Sequence, residues 1–226
     1  MREVVLRGRG PNTMTLESLA ACADELRAHP DDPILVYGEG RAFSAGLDLD
    51  ALAGGDPRAV TEAIEDVARL LFHHGAPTVA AINGHAVAGG CLLAQACDLR
   101  VVTDDPSIKI GMTGVAIGIT YPPVVLALLR HRLPSHTIER VLLGAERHDP
   151  RAALALGLVD EVVPDAIEGG RARLARLAAH PRAAYAEAKR ALREGALDVT
   201  PAQRARFEAA ASEAWDPSRF ATSRRG

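Results

Sequence analysis

Two short segments of the chain place small residues directly after apolar, strand-like runs. Residues 40–49 read GRAFSAGLDL, and residues 81–91 read AINGHAVAGGC. Small side chains leave backbone N–H groups open to an approaching carbonyl oxygen. A helix that opens at Gly89-Gly90 would also direct the positive end of its dipole at a developing negative charge. The two segments are therefore typical of the two halves of an oxyanion hole.

The elements that must position these turns alternate along the chain. Apolar runs predict buried strands at residues 4–6, 34–37, 79–82 and 99–102. Helical spacing of apolar residues predicts helices over 16–28, 61–73, 90–96, 138–143, 150–156 and 171–192, with proline interrupting the last near 180–181. The alternation of strands and helices predicts an α/β fold. Residues 202–226 combine a helical pattern with a polar end at 223–226, for which we expect disorder.

Length and charge favour a soluble protein with a small-molecule ligand. The 226 residues are 48% hydrophobic, enough for one domain with a sizeable core. The 26 basic and 29 acidic side chains give a net charge of −3. This balance provides no electrostatic footprint for nucleic acid or for an anionic membrane, so neither partner is expected.

Cysteine and histidine usage favours neither disulfides nor a metal site. Three cysteines and a polar start without a signal-peptide pattern lead us to expect a reduced, cytoplasmic setting. The pair His73-His74 has no second ligand cluster at metal spacing. The uncharged stretch 75–97 contains the turn signal Asn83-Gly84, which favours a core strand and helix over a membrane span.

Further motifs follow the two turns in a distinctive order. Residues 88–92 read AGGCL, residues 157–164 read GLVDEVVP, and Asp98 and Gly111 lie between them at a typical spacing. In this order the segments resemble the enoyl-CoA hydratase/isomerase (crotonase) superfamily, nearest its Δ3-Δ2-enoyl-CoA isomerase branch. The resemblance implies a spiral of ββα turns over residues 1–165, which holds an acyl-CoA pocket. Residues 166–226 would then form a helical trimerisation region and a short polar tail.

The resemblance also implies roles for individual residues. The oxyanion donors would be the N–H groups of Leu47 and Gly89. The ligand would be an acyl-CoA, with coenzyme A as part of the substrate and no permanently bound cofactor, in a homotrimer or a dimer of trimers. The implied pocket positions are Ala45, Gly46, Ala68, Phe72, Gly90, Leu92, Thr113, Gly114 and Ile117.

One feature departs from the family pattern. Hydratases carry two catalytic glutamates, and isomerases keep only the second, but the matching positions here are Leu92 and Gly114. The hole is retained and the usual acid/base residues are replaced. A hole alone does not select between isomerisation, hydration, decarboxylation and hydrolysis, because the placement of the acid or base decides the reaction.

Glu65 is one candidate for the missing acid/base. It falls at the helix register where the aromatic acyl-CoA dehalogenase branch places an active-site histidine. Its neighbours Ala68 and Phe72 share the helix face and would raise its pKa by desolvation. The alternative is a solvated helix glutamate paired with Arg69.

Tyr121 is the second candidate. Residues 112–121 resemble the methylmalonyl-CoA decarboxylase branch, where a tyrosine at the matching position serves the reaction. A phenol can donate a hydrogen bond, but its reference pKa of about 10 makes it a poor base. The alternative is a Tyr-Pro-Pro turn with its ring packed on the core.

Three functions remain open from the sequence. The first is an isomerase-like or hydratase-like enzyme that acts through an oxyanion-stabilised enolate with Glu65 or Tyr121 as its atypical acid/base. The second is an acyl-CoA decarboxylase or thioester hydrolase that uses Tyr121. The third is a non-catalytic acyl-CoA-binding or assembly subunit, because fold resemblance alone does not establish activity.

Overall fold

The computed structural model describes residues 1–54 and 56–214. The strands are β1 (Arg2–Leu6), β2 (Ile34–Gly38), β3 (Ala42–Ser44), β4 (Thr78–Ile82), β5 (His85–Val87), β6 (Leu99–Thr103), β7 (Ile110–Gly111) and β8 (Glu161–Val163). The helices are α1 (Leu16–Ala28), α2 (Leu49–Gly54), α3 (Pro57–Phe72), α4 (Gly89–Ala96), α5 (Pro123–Arg132), α6 (Ile138–Gly144), α7 (Pro150–Ala155), α8 (Ala166–Ala178), α9 (Arg182–Arg193) and α10 (Pro201–Ala214). Gly114–Ile117 form a short 3-10 helix.

A parallel five-stranded sheet forms the larger layer, in the order β1-β2-β4-β6-β8. Alternate residues of its strands enter two different cores. Val36 and Ile82 pack with apolar side chains of α1, α3 and α4, whereas Leu35 and Ala81 pack against α8. A sheet buried on both faces explains why these strands read as continuous apolar runs.

A second parallel sheet, β3-β5-β7, collects the short strands that follow β2, β4 and β6. Strands β2, β4 and β6 of the large sheet therefore each continue into a short strand of the other sheet, and α4 follows β5. This arrangement repeats a strand–strand–helix unit and brings the ends of β3, β5 and β7 side by side. The two small-residue turns predicted from the sequence follow β3 and β5.

A buried ion cluster attaches α9 to the body of the protein. Asp98, between α4 and β6, accepts hydrogen bonds from Tyr185 at 2.7 Å and from Lys189 at 3.0 Å. Its carboxylate also lies 2.9 Å from the Arg193 guanidinium, and the Lys189, Arg193 and Asp98 side chains are each less than 10% exposed. Burial alone would raise the pKa of Asp98, but Lys189 and Arg193 lower it below its usual value.

The predicted α/β class is confirmed, and the predicted strands and helices match the observed ones with small shifts at their ends. The predicted helix over 171–192 corresponds to α8 and α9, which are separated at His180-Pro181 as expected. Strands β3, β5, β7 and β8 and helices α2 and α5 were not predicted. The helical pattern after residue 202 corresponds to α10, and the polar end at 223–226 lies outside the described residues.

Within the described ranges, no helix combines the length and apolarity needed to cross a bilayer.

Candidate active site

The turns after β3 and β5 meet at one wall of a cavity of about 630 Å³. A Cβ placed on Gly46 would lie 3.0 Å from the Gly89 nitrogen, so the two backbones are in direct contact. Gly46 also has a φ of +94°, a conformation that side chains disfavour. Glycine at position 46 therefore allows the backbone conformation of the first turn and lets the second turn, at Gly89, pack directly against it.

Met14 holds the first turn in a way that leaves one N–H group unused. The Met14 N–H donates to the Gly46 carbonyl at 2.8 Å, and the Asp48 N–H donates to the Met14 carbonyl at 2.9 Å. The Leu47 N–H lies between these two bonds. Among the hydrogen bonds of residues 1–54 and 56–214, none uses it as a donor. It is available to a ligand at the cavity wall that Leu47 lines.

The second turn presents the amino end of α4. Ala88 precedes the helix with a φ of +49°, and no side chain caps the first turn. The first N–H groups of a helix have no partner within it, and together with the helix dipole they favour negative charge. Gly89 lines the cavity, and its N–H donates to no acceptor within the described ranges. The predicted pair of donors therefore faces one cavity.

Gly90 fixes the depth at which α4 begins. A Cβ on this residue would lie 2.2 Å from the Ser44 carbonyl oxygen of β3. Ser44 itself is fully buried and donates from its hydroxyl to the Asn12 carbonyl at 2.7 Å. The contact between Gly90 and β3 sets the position of the neighbouring Gly89 N–H relative to the first turn.

The remaining cavity walls are mostly apolar, with a few polar side chains. Asp48 lies at the start of α2, where its carboxylate accepts from the Asp50 N–H at 3.0 Å and from the Thr13 hydroxyl at 3.3 Å. These contacts hold the turn between β3 and α2. The described lining contains no glutamate or histidine, and its carboxylates are those of Asp48 and Asp50.

Tyr121 lies against Gly114 inside the cavity. The Gly114 N–H donates to the Tyr121 hydroxyl at 3.1 Å, and the Val115 N–H faces the same oxygen. Because the oxygen accepts from the backbone, the hydroxyl hydrogen is left to donate to a group in the cavity. Burial raises the pKa of Tyr121 above its usual value, although the two N–H groups oppose this. The phenol is therefore a proton donor at neutral pH and not a base.

The structure brings most of the predicted site residues together. Predicted residues that line the cavity are Ala45, Leu47, Gly89, Leu92, Thr113, Gly114, Ile117 and Tyr121. Gly46 and Gly90 shape the two loops from behind this lining. Ala68 and Phe72 do not line the cavity and are buried in the main core. Ala68 lies one helical turn, and Phe72 two turns, beyond Ile64, the last residue of α3 that lines the cavity. The Arg193 guanidinium packs over the Phe72 ring.

Glu65 also lies outside the lining, which corrects the prediction that its carboxylate faces the cavity. Thr61 and Ile64 of α3 line the cavity instead. The next residue along a helix is rotated by about 100°, and this turns Glu65 toward α10. Its carboxylate is 3.2 Å from the Arg204 guanidinium, not paired with Arg69. Sequence reasoning identified the correct helix but placed the carboxylate on the wrong side of it.

Three further lining features were missed. Phe207 and Ala211 of α10 reach the cavity from a helix that is distant in sequence. Arg147 lines it from the segment before α7, next to β7. The helical pattern after residue 202 was the available signal for α10, but nothing in that pattern specifies its docking position.

The residues that the structure describes place neither a reactive thiol nor a metal-ion site beside the second turn. Burial raises the pKa of the Cys91 thiol to about 12, so this cysteine at the start of α4 is protonated at neutral pH. Within the part of the chain that the structure describes, no group of three or more histidine, cysteine or acidic side chains is placed to hold a metal ion.

Comparison with known proteins gives consistent matches. A family model described as enoyl-CoA hydratase/isomerase matches residues 3–216. Human mitochondrial enoyl-CoA delta isomerase 1 is 32% identical over 171 residues, which cover 71% of this chain and 57% of that protein. The match thus spans less than two thirds of the relative's length. Crystal structures of human mitochondrial delta3-delta2-enoyl-CoA isomerase and of an enoyl-CoA hydratase/isomerase family protein from Pseudomonas syringae are also similar. The human isomerase aligns with a TM-score of 0.86 at 26% identity, over 99% of this chain and 95% of its own. The Pseudomonas syringae protein aligns with a TM-score of 0.81 at 27% identity, over 94% of this chain and 94% of its own.

Proposed function

Because this chain belongs to the enoyl-CoA hydratase/isomerase family, we propose that it binds an acyl-CoA thioester in the cavity and stabilises its enolate. The structural matches confirm the crotonase-type fold expected from the sequence. The N–H groups of Leu47 and Gly89 would donate to the thioester oxygen as negative charge develops on it. Two fixed donors in a cavity with apolar walls suit this purpose, since they need no reorganisation during the reaction.

We propose Tyr121 as the proton donor to that enolate. The supporting observation is its hydroxyl, which accepts the Gly114 N–H at 3.1 Å in the same cavity as the two donors. The raised pKa keeps the proton on the phenol until the enolate takes it. The N–H groups of Gly114 and Val115 would then stabilise the transient phenolate. Glu65 is not included in this proposal, because its carboxylate is bound to Arg204 outside the cavity lining.

This arrangement favours decarboxylation of a malonyl-type thioester. The bond from the α-carbon to its carboxylate breaks, carbon dioxide leaves, and the electron pair of that bond forms the enolate. The Tyr121 hydroxyl then transfers its proton to the α-carbon, and water reprotonates the phenolate. No base is required to form the enolate, so the two N–H donors and the Tyr121 hydroxyl are sufficient for this reaction.

The relatives favour a second candidate, isomerisation of an enoyl-CoA. Human proteins that are similar to this chain in sequence and in structure carry names of enoyl-CoA isomerases. This reaction requires a group that removes one proton and returns it at another carbon. A neutral phenol with a raised pKa does not remove a proton readily. Tyr121 therefore supports isomerisation less well than it supports decarboxylation.

A panel of substrates separates these candidates. Purified protein is mixed with methylmalonyl-CoA, Δ3-enoyl-CoA and Δ2-enoyl-CoA, and products are separated by chromatography. We expect propionyl-CoA from methylmalonyl-CoA and little change in the enoyl thioesters. Conversion of Δ3-enoyl-CoA to Δ2-enoyl-CoA alone would instead establish the isomerase. Binding of acyl-CoA without any product would identify a non-catalytic binding subunit.

A further inference from the structure

A second cavity of about 280 Å³ lies next to the first. The residues that line both cavities are Thr120, Tyr121 and Phe207, so these three side chains form the partition between them. Two of them belong to the segment that carries the proposed proton donor. Phe207 alone comes from α10, on the opposite side of the partition, and it is half-buried.

Polar contacts along α10 hold Phe207 in place. Arg204, one turn earlier on the helix, is ion-paired with Glu65 of α3, whose side chain is only 7% exposed. The helix starts with reciprocal bonds, in which Thr200 N–H donates to Gln203 and the Gln203 N–H donates to Thr200. The preceding loop is attached to α3 where Arg69 donates to the Leu197 carbonyl at 3.2 Å. The same helix α3 thus lines the first cavity and fixes the helix that closes it.

We propose that Phe207 limits the length of the acyl chain that the cavity accepts, and that the Glu65–Arg204 pair is its positioning contact. This inference rests on the proposed binding of an acyl-CoA. An acyl group that fills the first cavity meets the Phe207 ring at the partition. Removal of the ring joins the two cavities and gives a longer chain additional apolar surface to bury.

The test measures Kd values for butyryl-, octanoyl- and dodecanoyl-CoA by isothermal titration calorimetry. In Phe207→Ala, we expect the affinity for dodecanoyl-CoA to rise by about tenfold relative to butyryl-CoA, the effect of burying about two further methylene groups. Glu208→Ala is the matched control, because Glu208 is an exposed neighbour on α10 that lines neither cavity. It should retain the wild-type preference, and a melting curve of each variant confirms folding.

A second variant tests the positioning contact separately. Arg204→Gln removes the partner of Glu65 and leaves the Phe207 ring in the protein. We expect it to shift chain-length preference in the same direction as Phe207→Ala, but by less. If butyryl-CoA binds and Phe207→Ala keeps the wild-type preference, the inference is overturned while the proposed function stands. If no thioester binds to wild type or variants, both are overturned.

Discussion

The Tyr121 ring fills the space into which a side chain at Gly114 would project. A Cβ on Gly114 would lie 3.0 Å from Tyr121 Cε1 and 3.4 Å from its hydroxyl oxygen. The same hydroxyl accepts the Gly114 N–H at 3.1 Å. Position 114 is where isomerase-like relatives are expected to carry their catalytic glutamate. In this chain, a carboxylate at position 114 and the phenol in its observed position would compete for the same space.

This competition for space predicts that substitutions at positions 114 and 121 have coupled effects on the free energy of unfolding. Gly114→Glu alone should destabilise the protein by about 1–3 kcal/mol, the usual range for an overpacked site. Tyr121→Ala should relieve most of that cost when it is combined with Gly114→Glu. Urea unfolding of the wild type, both single variants and the double variant gives the coupling free energy. Additive effects would show that the ring does not compete with a side chain at position 114.

Tyr121 also predicts a pH profile. The proton donor is the neutral phenol, which exists below its pKa, and that pKa is raised above its usual value of about 10. Turnover should therefore stay level from neutral pH to about 10 and fall only above it. The measurement is kcat/KM for methylmalonyl-CoA across this range, with each value corrected for thioester hydrolysis in buffer. A rate that rises with pH would indicate a group acting as a base.

The contact between the two turns predicts a selective loss of turnover. Gly46→Ala places a methyl group 3.0 Å from the Gly89 nitrogen and should obstruct that donor. We expect kcat to fall by about 10²–10³-fold, as found when one oxyanion donor is removed. Gly40→Ala is the matched control, because Gly40 also has a positive φ but has open space around it. Equal losses in both variants would trace the effect to backbone strain and not to the hole.

The ion cluster around Asp98 predicts a large effect on stability. Asp98→Asn leaves Lys189 and Arg193 buried without their counter-charge. Breaking a buried pair in this way costs about 3–5 kcal/mol. Denaturant unfolding at neutral pH measures the change, and Asp105→Asn, at an exposed carboxylate, is the control. If Asp98→Asn lowers the free energy of unfolding by no more than Asp105→Asn does, the ion cluster does not stabilise the fold.

The same carboxylate predicts how stability depends on acid. The folded pKa of Asp98 is lower than the value in the unfolded chain, so its contribution is complete above the unfolded pKa. It is lost as the pH falls through the folded pKa, when the folded protein must also take up the proton. The difference in unfolding free energy between wild type and Asp98→Asn should therefore shrink below about pH 4. A difference that stays constant to strongly acidic pH would contradict this linkage.

Local features of the sequence predicted much of the fold and the two oxyanion turns of the site. The glycines at 46, 89 and 90 encode turns and close approaches within a few residues, so both oxyanion loops could be recognised. Helix α1 was placed over its observed residues because its apolar spacing is a local pattern. The short strands β3, β5 and β7 have two or three residues each, which is too few for a periodic signal.

The rest of the site depends on how distant elements dock. Glu65 was assigned to the cavity because it lies on the correct helix, but one residue along a helix changes the direction of a side chain by about 100°. Its actual partner, Arg204, is far away in sequence and belongs to a helix whose docking no local pattern defines. Phe207 was missed for the same reason. The Tyr121–Gly114 contact, by contrast, joins residues in one loop, and the sequence placed both in the site.

The proposed decarboxylation depends most directly on the proton supplied by Tyr121. The first measurement is therefore the turnover of methylmalonyl-CoA by wild type and Tyr121→Phe, with propionyl-CoA binding measured in parallel. If Tyr121 is the proton donor, kcat should fall by about 10²-fold or more in Tyr121→Phe, which is typical for loss of a positioned proton donor, and binding of propionyl-CoA should be unchanged. An undiminished kcat in Tyr121→Phe would contradict the role of Tyr121 as proton donor, because the proton would then come from another source.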